Sequence, residues 1–315
     1  MNKYDDVHLN VPQLLNDQKR KLAAHDTIAR SGEGLGLYGQ MKSRLQLLFV
    51  RLLYKAVIYQ KLIHSNLKLD WFYEFRNYWV NELGNRPIDP PDFYFLMCVY
   101  RQKFQDVEIS NVASGDRILK TWQDPRIVYS LFHNQYKLAL NPLSVRPFIN
   151  YIPNEGNVCE YGCGLAPIAT SLCRFYPHKN VRITCADIPT IMFHFTRWKF
   201  RNKKFIRTIE IDPGDDEPLD DEFDTIFCLE VLEHLLRPVP IIKHLHSRIR
   251  PGGYLIFNYV KTEGKGLDTT NALRDRGQVL RYILDNFRTV EGQIRLDGSD
   301  GGTAVCKKLR NPKKE

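Results

Sequence analysis

Residues 157–167 read Asn157-Val-Cys-Glu-Tyr-Gly-Cys-Gly-Leu-Ala-Pro167, and this stretch decides the fold. A short apolar run leads into Gly162 and Gly164, and a helix-forming segment follows. That is the strand–turn–helix context in which a glycine loop meets a nucleotide. The third position of a dinucleotide fingerprint needs Gly or Ala for close helix–strand packing; here it is Pro167. Proline suits the first turn of a helix, so the helix survives while the dinucleotide pattern does not. Glu160 stands just before Gly162. A carboxylate beside the loop would repel a pyrophosphate and suits a ligand carrying an ammonium and a sulfonium. The stretch therefore favours S-adenosylmethionine over a nicotinamide dinucleotide.

Downstream, strand-length apolar runs alternate with helical ones, the pattern of a doubly wound sheet. Strands are expected at 157–161, 181–186, 205–211, 223–228 and 254–259, with two more near 288–294 and 303–308. Helices are expected at 167–175, 191–200, 239–249 and 271–285, the third of them ended by Pro251-Gly-Gly253. Open α/β sheets bind ligands at the carboxyl ends of their strands. Four features fall there in order. The first is the Glu160, Gly162 and Gly164 loop. The second is Asp187 with Ile188; an acid at this place can accept both ribose hydroxyls. Asp212 follows the third strand, placed to meet an adenine amino group, and Asp215 and Asp216 are close enough to take that role instead. Leu229 and Glu230 follow the fourth strand, beside the adenine or the methionine tail.

The pieces E-Y-G-C-G at 160–164, T-C-A-D-I at 184–188, F-D-T-I-F-C-L-E-V-L-E-H-L at 223–235 and R-P-G-G-Y-L-I at 250–256 stand in sequence order. With them, residues 150–309 resemble a class I S-adenosylmethionine-dependent methyltransferase. The resemblance implies an α/β fold with a seven-stranded, doubly wound, Rossmann-like sheet whose last strand is antiparallel. It also implies S-adenosylmethionine as cofactor.

With that cofactor the sulfonium makes the methyl electrophilic, and the protein mainly orients the nucleophile in a dry pocket. A general base is needed only where the nucleophile must lose a proton. His234, in Glu230-x-x-Glu233-His234, is the catalytic candidate. It could act as a base, could join Glu230 and Glu233 around a divalent metal, or could be a structural histidine. The short E-V-L-E-H run does not by itself define a metal site, and none is expected. His244 and His246 fall on the following helix and are expected to face water. Tyr259, ending the fifth strand, and His133, Tyr136 and Phe132, on a helix before the sheet, are candidates to line a substrate pocket, with packing as the alternative.

The chain has 315 residues, 43% hydrophobic, enough for a sizeable core. The net charge of +9 is diffuse: 20 basic against 14 acidic residues in 1–150 (+6), and 25 against 22 in the remainder (+3). The basic run Arg197, Lys199, Arg201, Lys203 and Lys204 reads as a solvated helix end, so nucleic acid is not the expected partner. Seven cysteines with no C-x-x-C, and a polar start, fit a reduced, cytoplasmic protein. The apolar stretch 45–63 is interrupted by Arg51, Lys55 and Lys61 and is too charged to cross a bilayer. It reads as a core helix, with a homodimer surface or a helix lying in a membrane plane as the alternatives. The glycine-rich 31–36 reads as a connector, and Asp89-Pro-Pro-Asp92 as a turn.

These readings give a mainly helical region at 1–140, for substrate recognition or dimerisation, and a methyltransferase domain at 141–315. The expected activity is methyl transfer to an oxygen or nitrogen nucleophile of a small molecule. The alternatives are a protein or RNA methyltransferase and a cofactor-binding protein without turnover.

Overall fold

The computed structural model describes residues 69–104, 115–141, 143–260, 267–296 and 302–309. The apolar stretch 45–63 and the glycine cluster 31–36 lie outside the described residues. The chain divides into two compact units, Met1–Val99 and Tyr100–Glu315.

In the first unit, α1 (Asp70–Asn77) runs straight into a π-helical turn (Tyr78–Glu82), where the Leu83 N–H reaches back five residues to the Tyr78 carbonyl at 3.1 Å. The aromatic cluster read from the sequence is real packing. Trp71 and Phe75 meet Phe93 edge-on with ring centroids 5.3 and 5.0 Å apart, and Tyr73 stays exposed. Asp89-Pro-Pro-Asp92 is more than a turn: it starts α2 (Pro90–Phe104). Asp89 Oδ1 accepts the Asp92 N–H at 2.9 Å, and Asp92 Oδ2 accepts the Asp89 N–H at 3.2 Å. This reciprocal cap satisfies orphan donors at the helix start, and proline at the first helical positions loses no bond there.

The second unit takes in the end of α2 from Tyr100, and its described residues go on with α3 (Gly115–Trp122), a 3₁₀ turn (Pro125–Ile127), α4 (Val128–Leu140) and a second 3₁₀ turn (Arg146–Tyr151). The alternating region follows: β1 (Asn157–Tyr161), α5 (Pro167–Phe175), β2 (Arg182–Asp187), α6 (Ile191–Phe200), β3 (Ile206–Glu210) and β4 (Phe223–Cys228). After a short 3₁₀ turn (Leu232–His234) come α7 (Pro238–Arg248), β5 (Ile249–Phe257), α8 (Thr270–Asn286), β6 (Phe287–Glu291) and β7 (Ala304–Lys308). The strands form one seven-stranded sheet in the order β3-β2-β1-β4-β5-β7-β6. β1 to β5 pair in parallel, and β7 is antiparallel to both its neighbours. The doubly wound sheet expected from the sequence is therefore present.

Side chains alternate across the sheet, as strand geometry requires. On β4, Ile226 and Cys228 pack with Ile242 and Leu245 of α7 and Val279 and Ile283 of α8, while Phe227 packs with Ile168 and Leu172 of α5. Both faces are covered, which is why the parallel strands read as near-continuous apolar runs.

One expected boundary moves. Pro251-Gly-Gly253 does not end the helix; β5 already starts at Ile249 and runs through it. From Phe223↔Ile249 to Thr225↔Tyr254 the pairing advances two residues on β4 and five on β5. The surplus forms a bulge, with Gly252 at φ 82°. A Cβ on Gly253 would fall 2.7 Å from the Asp224 carbonyl. The glycines thus serve close approach within the strand, not helix termination.

Candidate functional site

The glycine loop is fixed by main-chain bonds to β2. The Gly162 and Cys163 N–H groups both donate to the Ala186 carbonyl, at 2.8 and 3.2 Å. Gly162 and Gly164 have φ of 65° and 52°, which glycine adopts without the usual steric cost. Their surroundings differ. A Cβ on Gly162 would lie 2.2 Å from Val231 Cγ2, so the turn after β4 presses on the loop there. A Cβ on Gly164 would meet only Met192 Sδ, at 4.0 Å. The loop is therefore closed at Gly162 and open at Gly164.

Glu160 sits differently from the expectation drawn from its charge. It is 4% exposed, and its carboxylate accepts the Ile168 and Ala169 N–H groups at 3.0 and 2.9 Å. Ala166, before Pro167, is an αL residue with no capping side chain, so β1 supplies the N-terminal cap of α5 through the core. Burial pushes the Glu160 carboxyl up to about 8, against the pull of the two N–H donors. Its carboxylate holds the loop and helix together; it does not stand beside the loop as a free charge.

Asp187, ending β2, accepts the Gly164 N–H on Oδ2 at 2.6 Å and the Ile188 N–H on Oδ1 at 2.7 Å. Burial raises it to about 6, opposed by these two donors. Thr196 of α6 donates to the Gly164 carbonyl at 2.6 Å, so the loop's last glycine is held from both sides. Ile188 is partly buried against the α7/α8 side of the core. Beyond β3 the three acids separate. Asp212 accepts the Gly214 N–H at 2.8 Å, Asp215 accepts the Glu217 N–H at 2.8 Å, and Asp216 pairs with Arg237 at 2.7 Å.

Past β4, Leu229 is partly buried and Glu230 adopts φ 57°. Asn258, next after β5, holds Glu230 twice. Its Oδ1 accepts the Glu230 N–H at 2.6 Å, and its Nδ2 donates to the Glu230 carboxylate. This clamp secures a strained backbone position and was not legible from the sequence.

His234 closes the turn that begins at Val231, its N–H donating to the Val231 carbonyl at 2.9 Å. Its Nδ1 lies 3.0 Å from the Leu267 carbonyl and 3.6 Å from Asp268 Oδ1, and Trp122 packs edge-on to the ring at 5.5 Å. Burial lowers its pKa, opposed by Asp268, the Leu267 carbonyl and Glu230. Among the described residues no group of three or more His, Cys, Asp or Glu is arranged to hold a metal ion.

Trp122 is one of several residues that bring α3 and α4 over the strand ends. Gln123 Nε2 donates to the Pro189 carbonyl at 2.9 Å, and Asn134 Nδ2 lies 3.3 Å from Met192 Sδ. The first reaches the loop after β2, the second the start of α6. On α4, His133 stacks on Tyr129 at 5.1 Å, and burial, Lys137 and Arg101 lower its pKa. Tyr136 is partly buried and Phe132 fully buried.

Three side chains depart from expectation. Tyr259, a substrate candidate, is 5% exposed and its hydroxyl donates to the Ala272 carbonyl at 2.6 Å, a core bond to α8. His244 does not face water: its Nε2 accepts the Leu219 N–H at 3.0 Å. His246 lies 2.8 Å from the Tyr282 hydroxyl, with its pKa pushed down to about 4 by burial and Lys308. Both are satisfied histidines of α7 that tie neighbouring segments to it.

With this geometry in place, comparison with known proteins is informative. Residues 133–289 match a family described as a methyltransferase domain. The ubiquinone biosynthesis O-methyltransferase of Shewanella pealeana is 24% identical over 170 residues, covering 50% of this chain and 65% of that protein. The enzyme of the same name from Pseudomonas syringae pv. tomato is 23% identical over 167 residues, covering 51% and 66%. The match therefore spans less than two thirds of these relatives. Among solved structures, the 1,6-didemethyltoxoflavin-N1-methyltransferase of Burkholderia thailandensis is similar at 16% identity and a TM-score of 0.41, covering 64% of this chain and 92% of that one. At that distance it carries no weight for function.

Proposed function

Because residues 133–289 are a methyltransferase domain of the class I, S-adenosylmethionine-dependent kind, we propose that the chain transfers a methyl group from S-adenosylmethionine to an oxygen or nitrogen nucleophile of a small molecule. The observation that carries this reading is the cradle at Gly164. It has a left-handed glycine, open space where a Cβ would stand, and the Asp187 carboxylate beneath it. A nucleoside could approach the main chain there with its ribose hydroxyls toward the acid.

The bound cofactor supplies an electrophilic methyl, and the chain's residues bind and orient it. In this reading Asp187 accepts the ribose hydroxyls, Ile188 lies against the adenine, and Asp212 faces the adenine amino group. Asp216 is set apart by its pairing with Arg237. Leu229 and Glu230 border the adenine or methionine tail. Glu160 acts on the cofactor only through the loop it braces. His133 and Tyr136, on the segment that crosses the strand ends, border the acceptor. Tyr259 is left out, its hydroxyl being bonded within the core.

The curated relatives are named as O-methyltransferases, which supports a small-molecule acceptor. Among the described residues no helix is long and apolar enough to cross a membrane. A cytoplasmic enzyme, with 1–140 serving substrate recognition or dimerisation, completes the reading. Calorimetric titration with S-adenosylhomocysteine tests the cofactor site. Release of S-adenosylhomocysteine from S-adenosylmethionine on incubation with small-molecule acceptors tests turnover. Absence of cofactor binding by the full chain would refute the proposal.

A further inference from the structure

Charge along the middle of the chain is sorted rather than mixed. Residues 161–209 hold nine Lys and Arg against one acid, Asp187, and residues 210–233 hold eleven acids and no Lys or Arg. The fold gathers much of the basic stretch in one place. β1 to β3 pair in parallel, so each helix that returns between them ends where the next strand begins, at the amino end of the sheet. α5 ends at Arg174 and Phe175, and β2 starts at Arg182. α6 ends at Phe200, and Arg201, Lys203, Lys204 and Phe205 follow before β3. The Ile183 N–H donates to the Phe205 carbonyl at 2.9 Å, which sets this second connection beside the first residues of β2. Burial and Cys185 push the Cys173 thiol of α5 up to about 11, while Lys203 and Lys199 pull it down, so the ends of α5 and α6 are neighbours.

Arg174, Arg182, Arg201, Lys203 and Lys204 are all exposed. Cations at a helix C-terminus offset its dipole, which accounts for Arg174 and Arg201. It does not account for Arg182, Lys203 and Lys204, which lie outside the helices and, among the described residues, pair with no carboxylate. The acids of the next stretch are engaged elsewhere: Asp220 and Asp221 by Arg207, at 2.9 and 2.8 Å, and Asp224 by Arg250 at 2.8 Å. Among the described residues Phe175 and Phe205 are the only exposed phenylalanines, at 36% and 45%, and both stand within this basic surface.

We propose that this amino end of the β2–β3 side docks on an anionic phospholipid bilayer, with Phe175 and Phe205 entering the interface and the surrounding cations meeting lipid phosphates. This goes beyond the methyltransferase reading and does not rest on it. A phenyl ring has no polar tip to keep in water, and flanking Lys and Arg side chains lay their stems on apolar ground while their charged heads reach the headgroups. A nucleic acid is the other polyanion such cations could meet. Single strands stack their bases on open aromatic faces along a groove that tracks the backbone. Here the Arg174 guanidinium lies over the Phe175 ring at 5.4 Å and closes one of its faces. Both rings also sit where a helix ends or a strand is about to begin, not in a row along one element. The cradle at Gly164 lies at the carboxyl ends of the strands, about 20 Å away along the six residues of β2. Docking would therefore hold the protein at the bilayer with the cradle turned away from the lipid and open to water.

The test is co-sedimentation of the full chain with phosphatidylcholine vesicles, with and without phosphatidylglycerol. We expect binding only where phosphatidylglycerol is present, and weaker binding as salt is raised. Lys203→Ala with Lys204→Ala should lower the affinity by roughly 25-fold, about fivefold for each cation removed from an anionic surface. The same loss of charge on α3, Arg117→Ala with Lys120→Ala, should leave it unchanged. Phe205→Ala should weaken binding at every salt concentration. No binding, equal binding to phosphatidylcholine alone, or equal losses in the two double variants overturns the proposal. Anisotropy of a labelled RNA oligonucleotide supplies the competing arm: tighter binding to RNA than to the vesicles, lost in the Lys203/Lys204 variant, overturns the bilayer in favour of nucleic acid. Hydrogen exchange of the native chain on phosphatidylglycerol vesicles needs no variant to fold. Protection at 174–182 and 201–205 supports the proposal, and protection confined to other segments overturns it. None of these readouts involves the cofactor, so failure of the methyltransferase reading would leave them unaltered.

Discussion

Above β1 and β2 the candidate site is held by the loop's main chain and by two carboxylates of the strands themselves; above β4 it is held by side chains from distant segments. On the first side Gly162, Cys163 and Gly164 bond to Ala186 and Asp187 at the end of the neighbouring strand, and Glu160 caps α5 from beneath. On the second side Asn258 clamps Glu230, Leu267 and Asp268 hold His234, and Trp122 closes over it. The two sides meet where Val231 approaches Gly162.

The comparison breaks most sharply at Gly162. Gly162→Val adds a left-handed β-branched residue and a clash with Val231. The cost should be about 2–5 kcal/mol of stability, from strain and overpacking together, with cofactor binding lost. Gly164→Ala, strained but unobstructed, should cost only about 1–2 kcal/mol. Denaturant melts of the two variants check this; equal losses would mean that the close approach to Val231 is unimportant.

Next in size is Asp187→Ala, which should weaken S-adenosylhomocysteine by about 1.5–3 kcal/mol in calorimetry, as for loss of a charged hydrogen-bond partner. The same group sets a pH dependence. Ribose hydroxyls donate to a carboxylate, so binding favours the ionised form and lowers its pKa from about 6 in the free protein. Affinity should then fall as pH drops from 7 to 5, and the slope should vanish in Asp187→Asn. An unchanged slope would move the dependence to another group.

In the segment over the strand ends, Gln123→Ala removes one bond to the Pro189 carbonyl after β2 and should cost about 0.5–1.5 kcal/mol of stability. If the segment over the strand ends shapes the acceptor pocket, the variant should raise KM for the acceptor and leave cofactor affinity alone. A loss of cofactor affinity with unchanged acceptor KM would reverse that assignment. The smallest expected effect is none: EDTA should leave methyl transfer intact. Loss of activity rescued by Mg²⁺ would point back to Glu230, Glu233 and His234.

The same contrast explains what could be read in advance. The sheet and glycine loop were legible because their information is local. Apolar runs set the strands, and Gly162, Gly164 and Pro167 stand within a few residues of each other. Asp187 follows from its place at the end of the next strand. The clamp by Asn258, the pairing of Asp268 with His234 and the covering by Trp122 join residues dozens of positions apart, and no spacing encodes them. Even on the legible side, charge alone misled. Glu160 was read as a free carboxylate beside the cofactor because the sequence does not show that Pro167 opens a helix lacking its own cap. His244 and His246 looked solvent-facing because their partners, Leu219 and Tyr282, come from elsewhere in the chain.

The place of β7 has a consequence for how the molecule is made. Among the described residues it is the last strand in chain order, yet it lies inside the sheet between β5 and β6. A nascent chain leaves the ribosome N-terminus first at roughly 5–20 residues per second. β1 to β5 can assemble while synthesis continues, but the free edge of β5, carrying Leu255, Ile256 and Phe257, waits for residues 304–307 to pair with it. During that interval the half-built sheet offers an unpaired apolar strand to any neighbour, the situation in which edge-to-edge association begins. Chaperone dependence and aggregation during expression should therefore respond to substitutions in β7 more than to those in β3, the outermost strand on the opposite side.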